Sequence, residues 1–120
     1  MITGMHTMFY SSDPDGLRAF FRDKLGLKSH DIGRGWLIFD LPEADLGVHP
    51  ASEDAEEEGA LSGTPDLSFY CDNIHETVDA LKAKGVIFKG EVEERSYGAV
   101  AFFKVPGDFY VQLYQPKYKK

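Results

Sequence analysis

The chain has 120 residues, 42% hydrophobic and 28% charged, enough for one globular domain with a real core and too few for two. Its formal net charge of −7 lacks the basic stripe that nucleic acid requires, and no run of about eighteen apolar residues is present to span a membrane. One cysteine, Cys71, fits a reducing compartment, and the start Met1–His6 has neither the charged nor the apolar region of a signal peptide, so a cytoplasmic location is expected.

In chain order, His6 to Asp13 reads as a strand that runs into a helix start, where Asp13 is an N-cap and Pro14 the first helical residue. Leu17, Phe20, Phe21 and Leu25 form an apolar stripe at helical spacing, stopped by Gly26. Leu27-Lys28 begins a strand, Gly33-Arg34-Gly35 is a turn before Trp36–Phe39, and Leu41-Pro42 leads to Leu46–His49. Residues 51–64 form a solvated linker, in which Glu53, Asp54, Glu56, Glu57 and Glu58 carry five of the negative charges. Asp66 to Asn73 reads as a second strand-to-helix start, with Asp72 or Asn73 as cap and Glu76 in the place of a capping-box acid. Ile74, Val78 and Leu81 supply the next stripe, stopped by Gly85 after Lys82 and Lys84. Val86-Ile87-Phe88 starts a strand, Tyr97 to Val105 is a long one, Pro106-Gly107-Asp108 turns, and Phe109 to Gln115 closes the chain.

The two halves repeat. His6-Thr7-Met8-Phe9-Tyr10 lies over Asp66-Leu67-Ser68-Phe69-Tyr70 at an offset of 60 residues, and each half reads strand, helix, three strands. Strand alternation then separates two faces: Thr7, Phe9, Leu67, Phe69, Cys71, Phe109, Val111 and Leu113 suit helices that need a sheet to cover. Opposite them stand His6, Met8, Tyr10, Asp66, Ser68, Tyr70, Tyr110, Gln112 and Tyr114. Taken singly, a tyrosine on an outer sheet face satisfies β-propensity. Four in equivalent places beside His6, Asp66 and Gln112 have the composition of a ligand cleft, apolar walls with a few convergent polar groups.

The run Asp13-Pro14-x-x-Leu17-x-x-Phe20-Phe21-x-x-x-Leu25-Gly26-Leu27, set in paired βαβββ modules, resembles the vicinal oxygen chelate superfamily. That superfamily holds glyoxalase I, extradiol dioxygenases, and the bleomycin and fosfomycin resistance proteins. Val105 to Tyr114 is similar to its closing Asp-Pro-x-Gly-Asn-x-x-Glu-Leu segment. The resemblance implies one α+β domain over residues 1–120, with module 1 at 1–50, the acidic linker at 51–64 and module 2 at 65–120. The two tandem βαβββ modules would form an open, U-shaped mixed β-sheet barrel with helices outside. It also implies a divalent metal (Fe, Mn, Ni or Zn), whose ligand places fall on His6, Leu46, Asp66 and Gln112, and commonly a homodimer.

His6 matches the family pattern, whereas Asp66 stands where histidine is usual, Gln112 where glutamate is usual, and Leu46 cannot bind a metal. His49 joins His6 and Asp66 only if a bulge, for which Gly47 is the plausible place, turns it inward. Without a metal, His6 and Asp66 form the obvious acid–base pair. The expected substrate-binding residues are Met8, Tyr10, Trp36, Ser68, Tyr70, Tyr110 and Tyr114, with the facing of Trp36 left open.

Gly33-x-Gly35 lacks the strand–helix context of a phosphate loop, Ser68 lacks a nucleophile elbow, and Cys71 faces the helices as a packing residue. His30 and His75 receive no role. The resemblance and these residues together imply two functions, the first leading and the second its alternative. One is a metal-assisted lyase or oxidoreductase of the glyoxalase and dioxygenase kind, acting on a small oxygen-bearing substrate. The other is a small-molecule binding protein of the bleomycin-resistance type, without catalysis or metal.

Overall fold

The computed structural model describes residues 1, 7–44, 61–62 and 64–117. In order these form α1 (Pro14–Asp23), β1 (Ser29–Asp31), β2 (Leu37–Phe39), β3 (Ser68–Tyr70), α2 (Ile74–Ala83), β4 (Glu93–Arg95), β5 (Gly98–Val105) and β6 (Phe109–Pro116). The architecture is the expected mixed α+β. β1 and β2 pair as an antiparallel hairpin, and the larger sheet runs β3-β6-β5-β4, with β3 parallel to β6 and the other neighbours antiparallel. This sheet is open and does not close into a barrel.

Both helices start where their caps dictate. The Asp13 carboxylate accepts from the Gly16 N–H at 3.0 Å, and Pro14 follows at the first helical position. Asn73, of the two expected candidates, caps α2, its side chain accepting from the Glu76 N–H at 3.2 Å. At the far end Gly85 adopts a φ of 87°, which turns the chain so that its N–H returns to Lys82 and that of Val86 to Leu81. That pattern is a Schellman motif, and the buried Leu81 and Val86 close it.

α2 begins and ends 60 positions after α1, the repeat offset of the sequence. The helix ends meet reciprocally: Lys24 Nζ donates to the Lys84 carbonyl at 2.6 Å, and Lys84 Nζ to the Lys24 carbonyl at 3.2 Å. Each ammonium thus satisfies a terminal carbonyl of the other helix, where the dipole favours a cation.

The core lies between the helices and one face of the β3-β6-β5-β4 sheet, built from Leu17, Phe21, Ile74, Val78, Leu81, Ala99, Ala101, Phe103, Val105, Val111 and Leu113. Phe21 is its hub, with ring centroids 5.6 Å from Phe39, 5.7 Å from Phe69 and 5.8 Å from Phe9, while Phe20 stacks on Phe103 at 6.1 Å. A helix of the first half therefore covers strands of the second.

Some boundaries differ from the sequence expectation. Thr7–Tyr10 forms no strand among the described residues; Phe9 is held by its packing on Phe21 and Phe109. The following Ser11 donates to the Pro106 carbonyl at 2.9 Å and pins this segment to the β5–β6 turn. Val86–Phe88 makes a single bridge, Phe88 to Phe103, and Tyr97 belongs to the β4–β5 turn because the hairpin already closes at Arg95–Gly98. Leu46–His49 and most of the acidic linker lie outside the described residues.

Phe103 is 0% exposed, so Phe103→Ala is expected to cost about 3–5 kcal/mol, and Asn73→Ala about 1 kcal/mol through its lost cap. Urea unfolding of both variants checks this ranking.

Candidate ligand-binding face

The face of the large sheet turned away from the helices is set by the register of β6. Tyr70, Tyr114, Val100 and Glu93 stand in one row across β3, β6, β5 and β4. The next row is Ser68, Gln112 and Phe102, extended by Lys89, whose N–H donates to the Phe102 carbonyl at 2.8 Å. A third row pairs Tyr110 with Lys104. The alternation expected for the last strand holds: Val111 and Leu113 are buried, while Tyr110, Gln112 and Tyr114 point away from the core.

Tyr70 and Tyr114 stack with centroids 5.8 Å apart, and Tyr97 meets Tyr114 edge-on at 5.9 Å. The Tyr114 hydroxyl donates to the Tyr97 carbonyl at 3.1 Å, tying the ring to the β4–β5 turn. Arg95 reaches over the face from that turn. Its guanidinium donates to the Tyr97 hydroxyl at 2.9 Å and to Glu93 at 2.8 Å, with its carbon 6.0 Å from the Phe102 ring centroid. The bond to Tyr97, and then the one to Glu93, raises the Arg95 pKa above its ordinary value, so its charge is fixed. Lys89 Nζ lies 5.4 Å from the Tyr110 ring centroid.

The structure thus gathers Ser68, Tyr70, Tyr110, Gln112 and Tyr114 on one face. Asp66, two residues before β3, is exposed. Met8 is also exposed, and Tyr10 is 91% exposed. Trp36 goes elsewhere: the Arg18 guanidinium of α1 lies 4.8 Å from its ring centroid, which ties Trp36 to a helix and not to the tyrosines. His6 and His49 lie outside the described residues. Sequence reasoning missed Lys89, Arg95, Tyr97 and Phe102. Phe102 was within its reach, since alternation along Ala99–Val105 puts Val100, Phe102 and Lys104 opposite Ala99, Ala101, Phe103 and Val105, although Val100 is itself fully buried.

As a metal site the described part of this face is a poor fit. Gln112 offers a neutral amide between Ser68 and Phe102, and Asp66 is the one carboxylate of the implied ligand set. No group of three His, Cys, Asp or Glu able to hold a metal ion occurs among the described residues. Two cavities lie away from the face. One, of about 110 Å³, sits between α2 and the Phe88–Val92 segment, and the other, of about 340 Å³, is an open groove by the C-terminus of α1, lined by Phe20, Lys24, Ile87 and Pro106.

Cys71 lies on the opposite side, against the core, with Sγ 3.8 Å from the Tyr114 carbonyl. Burial pushes its thiol pKa up, against the opposing effect of Thr77, so less thiolate is present at neutral pH than for a free cysteine. Iodoacetamide at pH 8 is expected to alkylate Cys71 more slowly than a free thiol, and to reach the free-thiol rate in urea; mass spectrometry of timed samples checks it.

No helix among the described residues is long and apolar enough to cross a membrane. No curated protein sequence matches the chain significantly. Solved structures do match its fold. A lactoylglutathione lyase from Agrobacterium tumefaciens aligns with a TM-score of 0.65 at 18% identity, over 94% of this chain and 92% of its own. TnmS3, an antibiotic binding protein from Streptomyces sp. CB03234, aligns with a TM-score of 0.64 at 19% identity, over 98% of this chain and 100% of its own. A superfamily member from Sphaerobacter thermophilus gives 0.60 at 22% identity, over 95% and 98%. A sequence profile matches residues 5–113, and the chain belongs to the Glyoxalase/Bleomycin resistance protein/Dioxygenase superfamily.

Proposed function

We propose that this protein binds a planar aromatic small molecule, of the kind an antibiotic presents, on the face formed by Tyr70, Phe102, Gln112 and Tyr114. The observation that carries this reading is the pre-stacked Tyr70–Tyr114 pair beside a central amide. Ring faces supply contact area at little entropic cost, and Gln112 both donates and accepts, which suits a carbonyl or hydroxyl on the ligand. Adjacent strands are about 4.8 Å apart, so a fused ring system bridges β6 and β5. The antibiotic-binding neighbour of similar fold supports the reading, and a cytoplasmic location and a homodimer belong to the same proposal.

Anthracene-2-carboxamide, a neutral fluorescent tricycle, tests this by anisotropy. Saturable one-to-one binding is expected, weakened about tenfold in Tyr114→Ala, the loss of one stacked ring. Affinity unchanged in both Tyr114→Ala and Phe102→Ala would remove the face from consideration.

A second reading is a glyoxalase- or dioxygenase-like enzyme. It is favoured by the lactoylglutathione lyase neighbour and by a carboxylate, Asp66, two residues before β3. In that case His6 and Asp66 act as ligands or as an acid–base pair, with His49 joining them if turned inward. Elemental analysis of untagged protein is the test: stoichiometric Fe, Mn, Ni or Zn that disappears in His6→Ala is the expected result. A protein that takes up none of the four when they are offered rules the chelate mechanism out.

A further inference from the structure

We infer that the ligand is an acid, and that Arg95 and Lys89 select it; this rests on the aromatic-binding reading and adds the ligand's charge to it. The aromatic face is electrostatically one-sided. Its β4 edge carries Arg95 above Phe102 and Lys89 beside Tyr110, in a chain whose formal net charge is −7. Around this edge Glu93 holds Arg95 at 2.8 Å, Lys104 and Asp108 hold each other at 2.8 Å, and Glu94 of β4 meets Lys117 at 3.8 Å, while Glu91 lines the cavity beside α2; Lys89 stands outside these pairs.

Arg95 is also pre-positioned. Tyr97 and Glu93 engage one N–H on each terminal nitrogen, which leaves three of the five guanidinium donors for a ligand in a fixed plane. Little side-chain entropy remains to be lost when an oxyanion binds, and a carboxylate or phenolate matches the donors bidentately. A neutral aromatic seated on Phe102 would instead shield those donors from water without pairing them, a cost that an acidic ligand avoids. Lys89 adds a second cation in the Phe102 row, beside the Tyr110 ring. The ligand class is therefore a planar aromatic carboxylic acid or acidic phenol. Its rings lie on Phe102 and Tyr114, its anionic group points to β4, and its neutral oxygens point to Gln112 and Ser68.

The test compares anthracene-2-carboxylate with anthracene-2-carboxamide on the full-length protein, by fluorescence anisotropy at low salt. The acid is expected to bind about tenfold more tightly, the size of one charge-assisted hydrogen bond, with a preference that shrinks as salt rises. Arg95→Gln should abolish most of that preference, read as the acid-to-amide affinity ratio within each variant, and Arg95→Lys should keep part of it. Because Arg95 also braces the Tyr97 turn, Lys89→Gln, outside that turn, provides an independent reduction of acid binding. Equal affinity for acid and amide, or a preference surviving in both Arg95→Gln and Lys89→Gln, overturns the inference while leaving the aromatic-binding reading intact. Failure of both compounds to bind overturns the two together. A dimer in light scattering that Arg95→Glu dissociates would show that a second copy covers this face, and would overturn the inference as well.

Discussion

β6 is hydrogen-bonded on both flanks, in parallel to β3 and antiparallel to β5, and this double pairing fixes the direction of every side chain it carries. A slip of one residue would drive Gln112 and Tyr114 into the core and expose Val111 and Leu113. The hydrophobic demand of the helices forbids that slip, since both apolar residues are buried beneath them. Thus the packing that stabilises one side of the sheet also assembles the tyrosines, the amide and Phe102 on the other.

The two sides divide the aromatic residues by chemistry. Phe20, Phe21, Phe69 and Phe103 fill the helix side, where no polar partner is needed. Tyrosines occupy the opposite side, where a hydroxyl can reach backbone or solvent, as Tyr114 does at the Tyr97 carbonyl. The core is shared between the halves because Phe21 of α1 packs on Phe69 of β3, and the reciprocal Lys24 and Lys84 contacts join the helix ends. Among the described residues the two halves therefore share one core, and the polar face lies on the other side of the sheet that this core covers.

How much of this could be read from residues alone depends on the strength of the local pattern. Asp13-Pro14 and Asn73 announce their helices, and seven alternating residues from Phe109 to Gln115 fix two faces without reference to anything else. Trp36 had no such help: the adjoining strand is three residues long, and the Arg18 side chain of a distant helix decides where the ring lies. Arg95 was hidden for a different reason. The turn that delivers it is Ser96-Tyr97, without the glycine or asparagine that marks a tight hairpin, so the stretch from Tyr97 reads as a continuous strand. Lys89 sits in a segment joined to the sheet by one bridge, too short for alternation to show.

Gln112 links the question of metal to that of ligand charge. The superfamily resemblance puts a glutamate at this place, and a carboxylate at the centre of the face calls for a metal cation or a cationic ligand to balance it. Two like charges about 6 Å apart repel by roughly 3 kcal/mol at an effective dielectric of about 20, enough to cancel the gain from a single arginine. An amide of the same shape removes that repulsion and keeps an oxygen and two N–H donors in place. With Gln112 in the row beside Phe102, and Arg95 above that ring, a neutral amide and not a carboxylate stands next to the row that the arginine covers. The substitution that weakens the case for a metal is, on the same electrostatic grounds, the one that opens the face to an anionic aromatic ligand.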